Sequence, residues 1–501
     1  MAMITRIAPS PTGDPHVGTA YMSLFDYVAA KQTGGKFIFR LEDTDQERYN
    51  PDSEKSLFDM LHWLGLDPDE SPELGGPNGP YRSSERLDIY KKYAEQLVKE
   101  GKAYRAFETT EELEAISQEQ QRLGKGRGYD GRGRDLPVKE AEKRAKAGEP
   151  HVIRLKVPRE RNEIIVNDGL RGEIKIPTPE VVDAVLLKSD GFPTYHLAVV
   201  VDDHLMGITD VVRGEEWIST APIHVLLYEM FSWQAPNFYH MPLLLNTDKT
   251  KLSKRKGNTS VKWYREQGVV AEALLNYLAT MGWSMPNGKE FFSVKDMINN
   301  FSFKRISLGG SIFDLKRLGH YNAHYLREVL PLETVVERAK PFLKDVGYTW
   351  ENERYVEKVV EVLLPRVETL KDIADQSYYF FNDDFGYTDD AKRRLEAGSK
   401  YLEDLERELS RLDYFDHDEV LDTLRDYARE QSVKLPEVMQ PLRAALTGTT
   451  QAPGVTELCE ILGKQKVLER IGRAIEGLNA NLRDDKPVKP SKDKEKDKEA
   501  A

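Results

Sequence analysis

One cysteine, Cys459, is the whole thiol content of the 501 residues. A single thiol makes neither an internal disulfide nor a multi-cysteine zinc site. A reducing, cytoplasmic setting is therefore expected. No run of about 18 apolar residues exists, which excludes a membrane-spanning helix. Met1-Ala2-Met3-Ile4-Thr5-Arg6 lacks the basic and apolar segments of a secretory signal. There is no internal repeat and no Gly-x-x-x-x-Gly-Lys-Ser/Thr loop. Positive charge is not in excess either: 72 Lys and Arg face 84 Asp and Glu, a net charge of −12. That argues against coating nucleic acid with the whole surface, but not against a local basic groove. What remains is 40% hydrophobic and 31% charged, a globular balance. At about 150 residues per domain the length suits three or four domains.

The first forty residues read as a βαβ unit. Thr5–Ala8 is a short strand, and Pro9-Ser10-Pro11-Thr12-Gly13-Asp14-Pro15 is turn chemistry. Ala20, Leu24 and Val28 then follow helical spacing, Gly34-Gly35 ends the helix, and Lys36–Leu41 is a second strand. A right-handed crossover makes the two strands parallel, and such sheets bind ligands at their carboxyl ends. Helices are expected over Asp52–Leu64 and Ser84–Glu100. Near Gly101 the character changes: Thr109 and Glu112 are spaced as a capping box, and a Gly- and Arg-rich loop follows. Between Arg122 and Lys146 nine Lys and Arg face four Asp and Glu. After strands at His151–Val157, Glu163–Asn167 and Glu173–Ile176, the apolar run Thr194–Val201 reads as a buried strand. Thr209–Arg213 and Phe238–Leu245 are further strands, with a helix over Ser219–Phe231 between them. A dense basic loop, Lys249 to Gly257, comes next. Beyond it Val269–Met281, Leu332–Val346, Glu351–Ala374, Asp389–Leu412, Asp418–Gln431 and Gly463–Leu478 all carry helical spacing. From Leu482 the chain is charged, with almost no apolar residues, and is expected to be disordered.

Two segments carry chemistry. His16-Val17-Gly18-Thr19 joins the first strand to its helix, whose N-terminus offers N–H groups and a positive dipole end to a phosphate. Lys251-Leu252-Ser253-Lys254-Arg255 puts two ammonium groups three residues apart, suited to charge developing on a triphosphate. Alone, His16 reads first as an ordinary loop histidine, and the basic run reads equally as a solvated surface. Gly126-Arg127-Gly128-Tyr129-Asp130-Gly131 matches a dinucleotide fingerprint in letters only. It follows no strand and opens no apolar helix.

Together, Pro9–Gly13 with His16–Thr19 and Lys251–Arg255 resemble the HIGH and KMSKS signatures of class I aminoacyl-tRNA synthetases. Arg6–Gly13, Arg40-Leu41-Glu42-Asp43-Thr44-Asp45 and Arg213-Gly214-Glu215-Glu216-Trp217 resemble the glutamyl branch, with similarity from Thr5 to about Leu478. The resemblance implies a Rossmann-like parallel-sheet catalytic domain with an α+β insertion, followed by an all-α anticodon-binding region. The catalytic domain would occupy 1–100 and 194–235, and an insertion binding the tRNA acceptor end 101–193. A stem-contact domain with the KMSKS-type loop would follow over 236–330. The helical anticodon region would fill 331–480, in two subdomains, before a tail over 481–501.

By the same resemblance His16, Lys251 and Lys254 are catalytic. ATP would meet His16, Gly18, Thr19, Glu216, Trp217, Leu244, Lys251, Ser253, Lys254 and Arg255. The glutamate side-chain carboxylate would meet Arg6, Arg213 and Tyr195, with Glu42 and Ser10 at its ammonium and Ala8 alongside. A guanidinium suits a carboxylate because it binds bidentately. ATP with Mg²⁺, L-glutamate and tRNA(Glu) are the implied ligands. A cytoplasmic monomer is expected, with no membrane partner and no metal held by cysteines. Some family members carry zinc in the insertion, but Tyr104-Arg105-Ala106-Phe107-Glu108 has no cysteine, so no zinc is expected. One departure is Val199, where the family pattern has asparagine; a valine side chain makes no hydrogen bond. Leu364–Leu370 resembles the segment whose arginine reads the last anticodon base, cytosine in glutamate tRNAs and guanine in glutamine tRNAs. This makes Arg366 the candidate reader. The alternatives are an enzyme that also charges tRNA(Gln), a glutaminyl enzyme and a silent tRNA-binding paralogue. A glutaminyl enzyme of the usual type would end in β-barrels; a silent paralogue should have lost His16 or the loop lysine.

Overall fold

The computed structural model describes residues 2–122, 129–252 and 259–479. Ser253, Lys254 and Arg255, the first half of the glycine match at 126–131 and the charged tail lie outside these. The chain divides into two compact units, Met1–Arg265 with Ala271–Leu318, and Glu266–Val270 with the chain from Gly319 onward.

The first unit runs β1 (Ile4–Ile7), α1 (Val17–Gln32), β2 (Lys36–Phe39), α2 (Pro51–Leu64), α3 (Leu87–Lys99), β3 (Ala103–Ala106), α4 (Thr110–Arg122), α5 (Val138–Lys146), β4 (Val152–Leu155), β5 (Glu163–Asp168), β6 (Gly172–Pro177), β7 (Val185–Leu187), α6 (Tyr195–Leu205), β8 (Asp210–Gly214), α7 (Ala221–Phe231), β9 (Asn237–Met241), β10 (Leu244–Leu245), α8 (Val261–Glu266), α9 (Ala271–Gly282), α10 (Val294–Asn300) and β11 (Ser311–Ile312), and the division falls within α11 (Leu315–His324), after Leu318. Strands β1 and β2 are parallel. A four-stranded sheet has the order β6-β5-β9-β8, with β9 parallel to both β8 and β5 and β5–β6 an antiparallel hairpin. The Thr209 N–H donates to the Ile4 carbonyl at 3.0 Å, joining the start of β8 to β1. The 101–193 stretch is therefore not wholly apart: its β5–β6 hairpin extends the sheet that carries β8 and β9. Its other strands form a separate sheet, β3-β4-β7.

The run Thr194–Val201 is not a strand. It is helix α6, with Thr194 as its extended N-cap and Leu197 to Asp203 all buried. A helix buried all round loses its 3.6-residue polarity pattern and cannot be told from a buried strand by periodicity. Val199 is part of the apolar core, beside Leu197, Val200 and Val201, and packs with residues of α3, β8 and α7. The expected strand Phe238–Leu245 splits at Pro242 into β9 and β10.

The second unit is helical: α12 (Leu332–Asp345), α13 (Glu353–Leu363), α14 (Leu370–Gln376), α15 (Tyr378–Phe381), α16 (Asp389–Ser410), α17 (His417–Glu430), α18 (Leu435–Thr447) and α19 (Val455–Asn479). The expected helix Glu351–Ala374 breaks at Pro365 into α13, a 3₁₀ turn Leu364–Arg366 and α14. α14 restarts with a Thr369–Asp372 capping box. Helix α18 has no clear signal in the sequence because Pro436 and Pro441 mimic a breaker. Pro436 sits in the first turn, where no N–H is needed, and Pro441 is inside the helix. A Cβ on Gly398 of α16 would come within 1.9 Å of Pro441 Cγ, so that glycine admits the close approach of α18. No helix among the described residues is long and apolar enough to cross a membrane.

Candidate active site

A cavity of about 800 Å³ opens at the carboxyl ends of β1 and β8, where parallel sheets place their ligands. Every expected ATP- and glutamate-site residue within the described chain lines it: Arg6, Ala8, Ser10, His16, Gly18, Thr19, Glu42, Tyr195, Arg213, Glu216, Trp217, Leu244 and Lys251. Val199 does not, which places its departure from the family pattern in the core instead.

His16 is the N-cap of α1, and its Nδ1 accepts from the Gly18 N–H at 2.9 Å. A Cβ on Gly18 would approach that nitrogen to 3.0 Å, so glycine lets the imidazole fold back. The free N–H groups expected here are largely taken. The Val17 N–H donates to Thr259 O at 2.7 Å and the Thr19 N–H to His16 O at 2.7 Å. What this end offers an anion is the positive end of the helix dipole. On either side of 253–258, Leu252 lines the cavity and Thr259 pairs with the start of α1. The Leu252 N–H donates to Leu244 O at 2.9 Å, and Thr259 holds Val17 as above. Lys251 Nζ lies 3.0 Å from Glu216. The rings of Tyr195 and Trp217 meet at 4.4 Å.

The two cavity arginines differ in their surroundings. Arg6 is buried and its Nε lies 3.1 Å from Asp203. Burial opposes its charge, but Asp203 outweighs that and raises its pKa. Arg40 binds the same Asp203 at 2.9 Å, and Arg86 binds Asp202 at 2.8 Å. Arg213 is 5% exposed and, among the described residues, has no carboxylate at ion-pair distance. Its Nε donates to His240 Nε2 at 3.0 Å, and its Nη1 to His224 Nδ1 at 3.0 Å. Its Nη2 makes no hydrogen bond of ordinary geometry among the described residues, although the neighbouring Tyr195 hydroxyl favours the charged guanidinium. Burial lowers its pKa. Such a group is costly unless a counter-charge arrives. Tyr195 lies within the field of Arg213, Glu42 and Arg6; burial raises its pKa against the two arginines. Glu42 is pushed up to about 7 by burial, against Arg40 and Arg6.

His196, His224 and His240 carry no sequence signal, because a lone histidine in an apolar segment reads as packing. Lys188 and Arg48, which also line the cavity, belong to no motif. In the second unit Arg366 is exposed and borders a cavity of about 390 Å³ with Lys358, Glu361, Pro453, Glu457 and Glu460.

The N-terminus of α1, Lys251 and a buried arginine with no carboxylate at ion-pair distance among the described residues gather around one cavity. Residues 2–320 match the family model of class I tRNA synthetases (E and Q), catalytic domain, and residues 334–475 match an anticodon binding domain. The chain belongs to this class I tRNA synthetase family. It is 54% identical over 473 residues to the glutamate–tRNA ligase of Thermus thermophilus, covering 94% of this chain and 100% of the relative. It is 50% identical over 476 residues to that of Deinococcus radiodurans, covering 94% and 98%. A crystal structure of a glutamate tRNA ligase from Elizabethkingia meningosepticum, in complex with its amino acid, aligns with a TM-score of 0.87 at 37% identity. That alignment covers 95% of this chain and all of the other.

Proposed function

We propose that this chain is a glutamate–tRNA ligase that charges tRNA(Glu) in protein synthesis. The observation that carries the reading is Arg213, a buried guanidinium without a carboxylate partner among the described residues, on the floor of a nucleotide-sized cavity. Arg6 and Tyr195 complete a pocket for the side-chain carboxylate of glutamate, while Glu42 and Ser10 face its ammonium. An oxygen of the glutamate α-carboxylate attacks the α-phosphorus of ATP in line, and pyrophosphate leaves. The 2′-hydroxyl of the terminal tRNA ribose then attacks the carbonyl of the adenylate, and AMP leaves. No protein nucleophile is required. His16, Lys251 and Lys254 stabilise charge on the phosphates, and the pocket supplies alignment. The described residues contain no group of three or more acidic, His or Cys ligands. Mg²⁺ fits this site as a companion of the triphosphate, which Mg²⁺ commonly favours; it would supply charge neutralisation there. The same reading has a monomer working without zinc in the cytoplasm. Charging assays with ATP, glutamate or glutamine, and each tRNA test it.

Glu42 gives the reaction a pH signature. The groups facing it are Arg40, Arg6, Asp203 and Asp202. To meet an ammonium Glu42 must be ionised, and burial has raised its pKa to about 7. Its contribution is therefore present above that pH and lost as pH falls through it. The kcat/KM for glutamate, which reports the free enzyme, should fall by about tenfold per unit below about pH 7. Glu42→Gln should be lower and flat over the same range. A flat native profile between about pH 6 and 8 would remove Glu42 from this role.

Arg366 is assigned to the last anticodon base. An arginine satisfies the acceptors of cytosine but meets donors on guanine, so the wrong base is rejected by unpaired polar groups. The native enzyme should charge tRNA(Glu) and not tRNA(Gln), and Arg366→Gln should erode that preference. Efficient native glutamylation of tRNA(Gln), or an unchanged preference in the variant, would rule Arg366 out.

A further inference from the structure

Arg213 is held by a chain of imidazoles whose proton positions the geometry dictates. A guanidinium only donates. His240 Nε2 therefore accepts, its proton sits on Nδ1, and that proton goes to Asp168 Oδ2 at 2.6 Å. His224 Nδ1 likewise accepts, so its Nε2 carries the proton and faces His196 Nδ1 at 3.2 Å. Both rings that touch Arg213 must be neutral for these contacts to exist. Burial and Arg213 itself both hold the pKa of His224 well below the ordinary value. The nearest carboxylate along the chain of rings, Asp168, stands one imidazole away. It is already engaged by the N–H groups of Leu170, Arg171 and His240 and by the His240 ring. Arg213 faces His240 directly across the β8–β9 register, so strand pairing fixes the contact.

The contrast with Arg6 is one of charge. Arg6 lies against the Asp203 carboxylate; Arg213 lies against two neutral acceptors. Neutral acceptors fix the orientation of a guanidinium, yet leave its charge uncompensated. An uncompensated buried cation favours a carboxylate over a carboxamide of the same shape, because only the former supplies the missing charge.

We infer that His224 and His240 are positioning residues that keep Arg213 fixed but unneutralised, and that their neutrality sets the preference for glutamate over glutamine. The inference rests on the proposed glutamate pocket. It is tested by charge, with shape held close to constant. His224→Glu places a carboxylate beside Arg213, whereas His224→Gln keeps a neutral acceptor. In tRNA charging assays His224→Glu should raise the glutamate KM by about tenfold or more, with the ATP KM unchanged. It should lower the glutamate-to-glutamine ratio of kcat/KM by at least about tenfold. His224→Gln should recover most of both. The pair His240→Glu and His240→Gln repeats the comparison from β9 and decides the matter should His224→Glu fail to fold. Equal losses in the Glu and Gln variants, or a ratio unmoved by the introduced carboxylate, would overturn the inference. Failure of the native protein to charge glutamate would instead overturn the reading of the pocket.

Discussion

Replacing Arg213 with alanine is expected to raise the glutamate KM by two orders of magnitude or more. The variant removes a buried cation that has no carboxylate of its own among the described residues. Breaking a charge-assisted hydrogen bond in such a site typically costs about 2–5 kcal/mol, much of it from leaving the substrate carboxylate buried and unpaired. The KM for ATP should move little, since Arg213 stands on the amino-acid side. The unaltered protein should use glutamine poorly, because the carboxamide brings no counter-charge to the guanidinium. Steady-state charging with either amino acid measures both. Equal use of the two by the native protein would sink the assignment.

The second large effect concerns the basic loop. Lys254→Ala should slow adenylate formation by about 10²-fold or more while leaving glutamate affinity nearly unchanged. A cation on the phosphates is worth most when charge develops in the transition state and little before it. Lys254 lies outside the described residues; before its segment Leu252 pairs with Leu244 at the cavity, and after it Thr259 pairs with Val17 at the start of α1. Single-turnover kinetics in the presence of tRNA separates the alternatives. A variant that turns over normally and only binds substrate weakly would show that the lysine contributes ground-state affinity alone.

Much of this architecture is legible in the sequence because particular residues have few other uses. Arginines at strand ends, a turn of prolines before a helix, and two lysines three apart in a loop point to one anionic ligand wherever strands are parallel. The residues so marked, where described, do line a single cavity. The elements that sequence patterns miss share a cause too. Helix α6 is buried on every side, so no polarity pattern survives to reveal its period. Helix α18 holds one proline in its first turn, where the backbone has no N–H to lose, and tolerates a second, Pro441, inside it against Gly398, which a rule about breakers does not see. The histidines around Arg213 are hidden for a deeper reason. They come from α6, α7 and β9, separated by tens of residues, and none makes sense until the register of β8 against β9 sets His240 opposite Arg213.

The β5–β6 hairpin has a bearing on how such a chain can be recombined. Asp168 ends β5 and anchors His240. Arg171, in the turn that follows, reaches both the His240 carbonyl and Glu215. The stretch 101–193 thus contributes a sheet edge and two side chains to the ground beneath the proposed amino-acid pocket. A chimera that exchanged it whole would transplant part of that foundation with it. A donor lacking the aspartate and arginine would leave His240 held by Arg213 alone, and one lacking the hairpin would leave β9 an edge. A graft confined to the β3-β4-β7 sheet and helices α4 and α5 would leave that foundation in place. Such a graft needs seams before β5 and after β6 in addition to those at the ends of the insertion, because β7 follows the hairpin in the chain.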